Sequence, residues 1–253
     1  MFTKEELIDF CEKARENYLD HISIDCVVFG FHEGQLKVLT LKMKKEPLWY
    51  LPGGFILKNE PIEIAANRIL KDRTGLDNIF LQQFHVFGDP DRSKPHGNLY
   101  NDMLPPGENW LSNRFLTIGY YALVDFSNVT PTPDYHSESC KWYDLAELPD
   151  LILDHSLILK KALDTLRLQL NYQPIGYNLM PGEFTMPELQ KLYETILDKK
   201  LDRRNFQRRM LGFGILNRLE LPRKGGAHKA PYLYTFDMEN CQEALKEGLK
   251  GGW

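Results

Sequence analysis

The chain has 253 residues, 43% of them hydrophobic, enough to bury a substantial core in one large or two small domains. No apolar run approaches the roughly 20 residues a membrane-crossing helix needs, and the opening Met1-Phe-Thr-Lys-Glu-Glu6 lacks a signal-peptide pattern, so a soluble cytoplasmic protein with no membrane partner is expected. The formal net charge of −4 is uneven, because Pro181 to Phe236 holds 11 Lys and Arg against 6 Asp and Glu, or +5, leaving −9 elsewhere; a basic segment on an acidic body points to a nucleic-acid partner.

Ile22 to Phe31 reads as a buried strand, with Leu36 to Met43 as its hairpin partner across His32-Glu-Gly-Gln35. Leu48-Trp-Tyr-Leu-Pro-Gly-Gly54 then leads into a helix whose Ile62, Ala65, Ala66, Ile69 and Leu70 follow a helical period. Past it, Leu81 to Asp89 and Phe115 to Asp125 read as strands. The long polar loop between them, Pro90 to Asn113, is of a length that is usually functional or mobile. Lys141-Trp-Tyr-Asp-Leu-Ala-Glu-Leu-Pro149 gives a short strand and turn. His155 to Leu170 is a helix with Ile158, Leu159, Ala162, Leu163, Leu166 and Leu170 on one side. Cys11, Cys26, Cys140 and Cys241 are scattered, with no C-x-x-C pair and no histidine at ligand spacing, so neither zinc nor a disulfide framework is expected.

Asn171 to Gly182, with two prolines and two glycines, breaks the periodicity, and the domain join is placed there: residues 1–172, then 173–253. Thr185 and Glu188 read as a capping box for a helix with Leu189, Leu192, Tyr193, Ile196 and Leu197 as its apolar stripe. Asp202 is a favourable N-cap for a second helix in which Phe206 and Met210 face inward. Arg203, Arg204, Asn205, Gln207 and Arg208 are candidate DNA contacts, because Arg forks onto guanine, Asn and Gln onto adenine, and cations onto phosphates. Two strand-like segments, Ile215 to Leu221 and Pro231 to Phe236, flank a basic loop whose Arg223, Lys224 and Lys229 join that set. Helix, turn, basic helix and cationic hairpin is the order of a winged helix-turn-helix.

Gly54, Glu60, Arg68, Leu70, Gly75 and Leu76 keep the spacing G-x5-E-x7-R-E-U-x-E-E-x-G-U, in which U is aliphatic, and so resemble a Nudix box. Where catalytic members carry three glutamates this chain has Ile69, Asp72 and Arg73. Positions i, i+3 and i+4 share a helical face, so these three are expected to point into one volume. In a working site that volume holds Mg2+ or Mn2+ through oxygen ligands. One apolar group, one carboxylate and one guanidinium do not hold such an ion, so no metal, no cofactor and no catalytic residue is expected. Glu60 reads as a capping and positioning residue.

A carboxylate-poor box followed by Phe184-Thr-Met-Pro-Glu-Leu-Gln-Lys-Leu-Tyr-Glu194 and Arg203-Arg-Asn-Phe-Gln-Arg-Arg209 resembles the Nudix-related transcriptional regulators, the NrtR repressors and the AraR-type regulators. The resemblance implies an α+β fold: a Nudix α/β/α sandwich with a mixed sheet, then a winged helix-turn-helix. It further implies a homodimer through the Nudix halves, a palindromic double-stranded operator, and a small effector, ADP-ribose or a sugar such as L-arabinose, that modulates operator binding. Gly88-Asp-Pro-Asp-Arg92 and Tyr120-Tyr-Ala-Leu-Val124 resemble the segments around the family's cleft, whereas Ser93 to Ser112 departs from a shorter loop. Trp49, Tyr50, Arg92 and Arg114 are candidate effector contacts, since aromatics stack on sugars or bases and Arg pairs with phosphate. Two other functions stay open: a hydrolase of ADP-ribose or a related nucleoside diphosphate using Asp72, Glu60 and Asp91, and a protein-binding scaffold.

Overall fold

The computed structural model describes residues 3–44, 47–77, 79–92, 104–105, 107–126, 131–133, 137–222 and 231–249. By contacts the chain divides into two compact units. The first comprises residues 1–29, 38–122 and 129–162, the second residues 30–37, 123–128 and 163–253.

The first unit opens on a helix absent from the sequence reading, α1 (Lys4–Asn17). Its start was legible: Thr3 and Glu6 form a reciprocal capping box, and Leu7, Cys11 and Ala14 make a buried stripe. Then follow β1 (Tyr18–His32), β2 (Gln35–Met43), β3 (Trp49–Tyr50), β4 (Gly53–Leu57), α2 (Ile62–Thr74), β5 (Phe80–Phe87), β6 (Leu116–Asp125), β7 (Ser137–Asp144) and α3 (His155–Gln169). The seven strands form one sheet of order β3-β2-β1-β6-β5; β4 pairs antiparallel with β1, and β7 pairs with β2. Central β1 is buried without interruption from Ile24 to Gly30, as suits a strand covered on both faces. At the end of α2, Gly75 adopts φ 73° and donates its N–H to the Lys71 carbonyl; a side chain there would also strike Thr132.

The long loop expected through Asn113 is docked at its far end. Trp110, in a single 3-10 turn (Trp110–Ser112), is 1% exposed and packs with Leu104 against Leu7, Cys11 and Ala14 of α1. Phe10, Tyr18, Phe55 and Phe115 surround it. Its indole N–H donates to Asp20 at 3.1 Å, and Arg15 reaches the Gly107 and Glu108 carbonyls at 3.1 and 2.6 Å. A loop that looks polar by composition therefore supplies the core of the α1 layer.

The second unit contains β8 (Phe184–Thr185), α4 (Met186–Leu197), α5 (Arg203–Gly212), β9 (Leu216–Pro222), β10 (Tyr232–Phe236) and a helix the sequence reading did not include, α6 (Met238–Glu247). The strands order as β8-β10-β9. Thr185 and Glu188 form the expected capping box, Leu189, Leu192, Tyr193 and Ile196 are buried, and the Tyr193 ring meets Phe206 of α5 at 5.4 Å. The breaker-rich segment is packed rather than slack: Ile175, Leu179 and Met180 are buried, and the Leu249 N–H donates to the Tyr172 carbonyl at 2.7 Å. This unit takes in the end of α3, whose Arg167 donates to the Ile196 carbonyl at 2.8 Å, and the hairpin tip, whose Gly34 carbonyl accepts from Thr195 at 2.9 Å.

Candidate functional site

At the box, Arg68 donates from Nε to Glu60 Oε2 at 2.9 Å, and from Nη2 to the other Glu60 oxygen and to the Phe55 carbonyl. Glu60 also accepts from the Leu57 N–H at 2.7 Å, and its side chain is 10% exposed. The Arg68 hydrogen bond, helped by the Leu57 N–H and the Arg68 charge and opposed by burial, holds the Glu60 carboxyl below the usual glutamate range. This pair fastens the turn before α2 to the helix. Glu60 does not cap α2, because Pro61 is the N-cap residue and makes no side-chain cap bond.

Of the three altered positions, Ile69 and Arg73 meet adjacent residues of β4, and Asp72 is exposed. Ile69 is 2% exposed and packs under Gly54, while the Asp72 side chain is 61% exposed and lies 3.5 Å from Arg68 Nη1. Arg73 Nε donates to the Gly53 carbonyl at 2.7 Å. At the motif positions Glu60 and Asp72 balance Arg68 and Arg73. Among the described residues no three His, Cys, Asp or Glu side chains gather into a metal-holding group.

Of the candidate effector contacts, Trp49 meets Tyr143 edge-on at 5.1 Å, and the Tyr50 hydroxyl bonds Ser137 at 2.8 Å. Arg92 is buried in a bidentate pair with Asp154, at 2.9 and 2.8 Å, and lies 3.7 Å from Asp25. Exposed Arg114 donates to the Gly88 carbonyl at 2.6 Å. The structure thus places Trp49 and Tyr50 on β3, and ties both arginines to residues lining one open groove of about 250 Å3, bordered by His85, Gly88, Asp89, Asp154, Leu157 and Lys161.

Three polar residues beneath this region escaped the sequence reading. His155 Nδ1 accepts the Leu51 N–H at 3.0 Å, which leaves its proton on Nε2, 3.7 Å from Asp25. His155 thereby ties the turn before β4 to the start of α3, and Arg92 joins Asp154 to Asp25 of β1. Asp25 carried a signal, a charge inside the apolar run Ile24-Asp-Cys-Val-Val28; such a charge must find partners.

In the second unit, Asp202 accepts the Asn205 N–H at 2.9 Å and caps α5, with Phe206 and Met210 buried. Arg203, Arg204, Asn205 and Arg208 are exposed and Gln207 is half-buried, so one face of α5 is polar and cationic. Arg208 donates to the Asn205 side-chain carbonyl at 3.1 Å, pre-ordering two of the candidate readers. Arg223, Lys224 and Lys229 lie outside the described residues.

Fold and site define a protein with a mixed-sheet Nudix fold, an altered box and a winged helix bearing a cationic face. Residues 19–166 match the Nudix domain model, and residues 176–236 match that of the NrtR DNA-binding winged helix domain. The ADPR responsive transcriptional repressor NtrR of Acinetobacter baylyi is 30% identical over 226 residues, 87% of this chain and 83% of that protein. An ADP-ribose pyrophosphatase of Methanocaldococcus jannaschii is 28% identical over 136 residues, 53% of this chain and 69% of that one. The structure of Shewanella oneidensis NrtR complexed with a 27mer DNA shares the fold, with a TM-score of 0.68 at 24% identity over 88% of this chain and 96% of that one. The chain belongs to the NrtR-type family of Nudix-related transcriptional regulators.

Proposed function

We propose that this chain is a transcriptional repressor whose Nudix domain binds ADP-ribose or a closely related nucleoside diphosphate sugar without hydrolysing it and without a divalent metal, and that binding lowers affinity for the operator. The observation that carries the reading is the charge balance of the box. With glutamate at 69, 72 and 73 beside Glu60 and Arg68 the same positions would sum to −3, which a diphosphate approaches only with metal ions between. Here they sum to zero, and Arg73 stands where a metal ligand would. The Acinetobacter baylyi relative, described as ADPR responsive, supports the choice of ligand, and a free sugar such as L-arabinose offers no phosphate for an arginine to meet. In this reading Trp49, Tyr50, Arg92 and Arg114 contribute to the effector site. The segment 173–253 is the DNA-binding domain, and two copies joined through their Nudix halves place two α5 helices on a palindromic operator in the cytoplasm.

Calorimetric titration with ADP-ribose in EDTA, beside the same titration in Mg2+, tests the claim. Equal affinity in the two buffers, with release of a labelled fragment of the chain's own upstream DNA, is expected. Turnover of ADP-ribose at about 1 per second or faster in Mg2+ would refute it.

A further inference from the structure

We propose that Arg218 and Tyr232, on the β9–β10 hairpin, form a pre-ordered clamp for a DNA backbone phosphate, outside the α5 reading helix. The proposal rests on the winged unit being the DNA-binding domain. The Arg218 guanidinium lies 3.7 Å from the centroid of the Tyr232 ring. Arg218 is exposed and Tyr232 is 38% exposed, so the pair faces solvent rather than the core. Among the described residues Arg218 makes no ion pair, and the ring is its partner.

The stack has two consequences. A guanidinium held flat against a ring has surrendered much of its rotamer freedom before DNA arrives, which lowers the ordering cost of binding. Its covered face is spent, but the N–H edges remain in plane and match two oxygens of a phosphodiester. An isolated exposed arginine on a strand would hold neither advantage. The sequence around it is cationic: Arg223, Lys224 and Lys229 follow between the two strands, and α5 presents Arg203, Arg204 and Arg208. Phosphate is favoured over a base edge because in a helix-turn-helix the second helix, here α5, is the element that occupies the major groove.

Fluorescence anisotropy with the full chain, on operator DNA and on random-sequence DNA across a KCl series, tests this. Arg218→Ala should weaken both DNAs alike by roughly three- to tenfold and lower the slope of log K against log salt by about one. Tyr232→Leu should weaken binding while leaving the slope unchanged, since the charge remains but its order is lost; Tyr232→Phe should behave as the parent chain. Wild-type affinity and slope in Arg218→Ala, alongside weakened binding in Arg204→Ala, would overturn the clamp while leaving the DNA-binding reading intact. No DNA binding by the parent chain would remove that reading itself. Loss confined to operator DNA would make Arg218 a base reader and overturn the phosphate assignment.

Discussion

Placing glutamate at the box positions tests whether this chain has lost a metal site. Arg73→Glu alone would put two carboxylates side by side, at positions 72 and 73, where a hard cation takes roughly six oxygen ligands, and Asp72 is already within 3.5 Å of Arg68. It also removes the Arg73–Gly53 hydrogen bond, which for a charged donor is worth about 1.5 to 3 kcal/mol. Adding Ile69→Glu is costlier, because Ile69 is 2% exposed and its Cγ1 would lie only 3.1 Å from a side-chain carbon added at Gly54. Losing that burial costs about 1.5 to 3 kcal/mol, and desolvating a carboxylate there adds about 2 kcal/mol or more. The double variant should therefore be weaker by about 5 to 8 kcal/mol without metal, against a domain stability of about 5 to 15 kcal/mol. Mn2+ at one hundred times its dissociation constant would return about 2.7 kcal/mol. Thermal melts with and without Mn2+ read this directly: a marked rise in the double variant, and less than about 1 °C in the parent chain and in Arg73→Glu. A large Mn2+ shift in either of the latter would refute the argument that the box no longer holds metal.

On α5, Arg204→Ala or Arg208→Ala should weaken operator binding by about 1 to 3 kcal/mol if the side chain reads a base, or lower the salt slope by about one if it meets phosphate; unchanged anisotropy in both would remove the reading-helix assignment. Trp110→Ala should cost about 3 to 5 kcal/mol in urea unfolding, because the indole fills the space between α1 and Phe55 and bonds Asp20; a loss under about 1 kcal/mol would mean the loop does not hold α1 down. Glu60 has its pKa lowered in the folded state, so its pairing with Arg68 stabilises the fold fully above the ordinary glutamate range, and that share is lost as pH falls through the lowered folded value. Urea midpoints of the parent chain and Glu60→Gln should therefore differ at pH 7 and converge in acid, and a constant gap across that range would contradict the pairing.

What the sequence determined by itself was the local order. The Thr185–Glu188 cap, the Asp202 cap and the inward Phe206 and Met210 all depend on residues within one or two turns of each other, where spacing alone fixes which side chains meet. The helices α1 and α6 could have been found by the same rule, since Thr3 with Glu6 and Asp237 with Asn240 carry their caps. The shared face assigned to Ile69, Asp72 and Arg73 shows where local reasoning stops, because spacing gave their common side of the helix but neither the burial of Ile69 nor the carbonyl that engages Arg73. Only the tertiary structure decided that Arg92 is bound to Asp154, 62 positions away, or that Trp110 meets Cys11 across 99. Such contacts form when strands and helices pack, and nothing in a residue's immediate neighbours encodes which distant partner will satisfy its buried charge or fill its cavity.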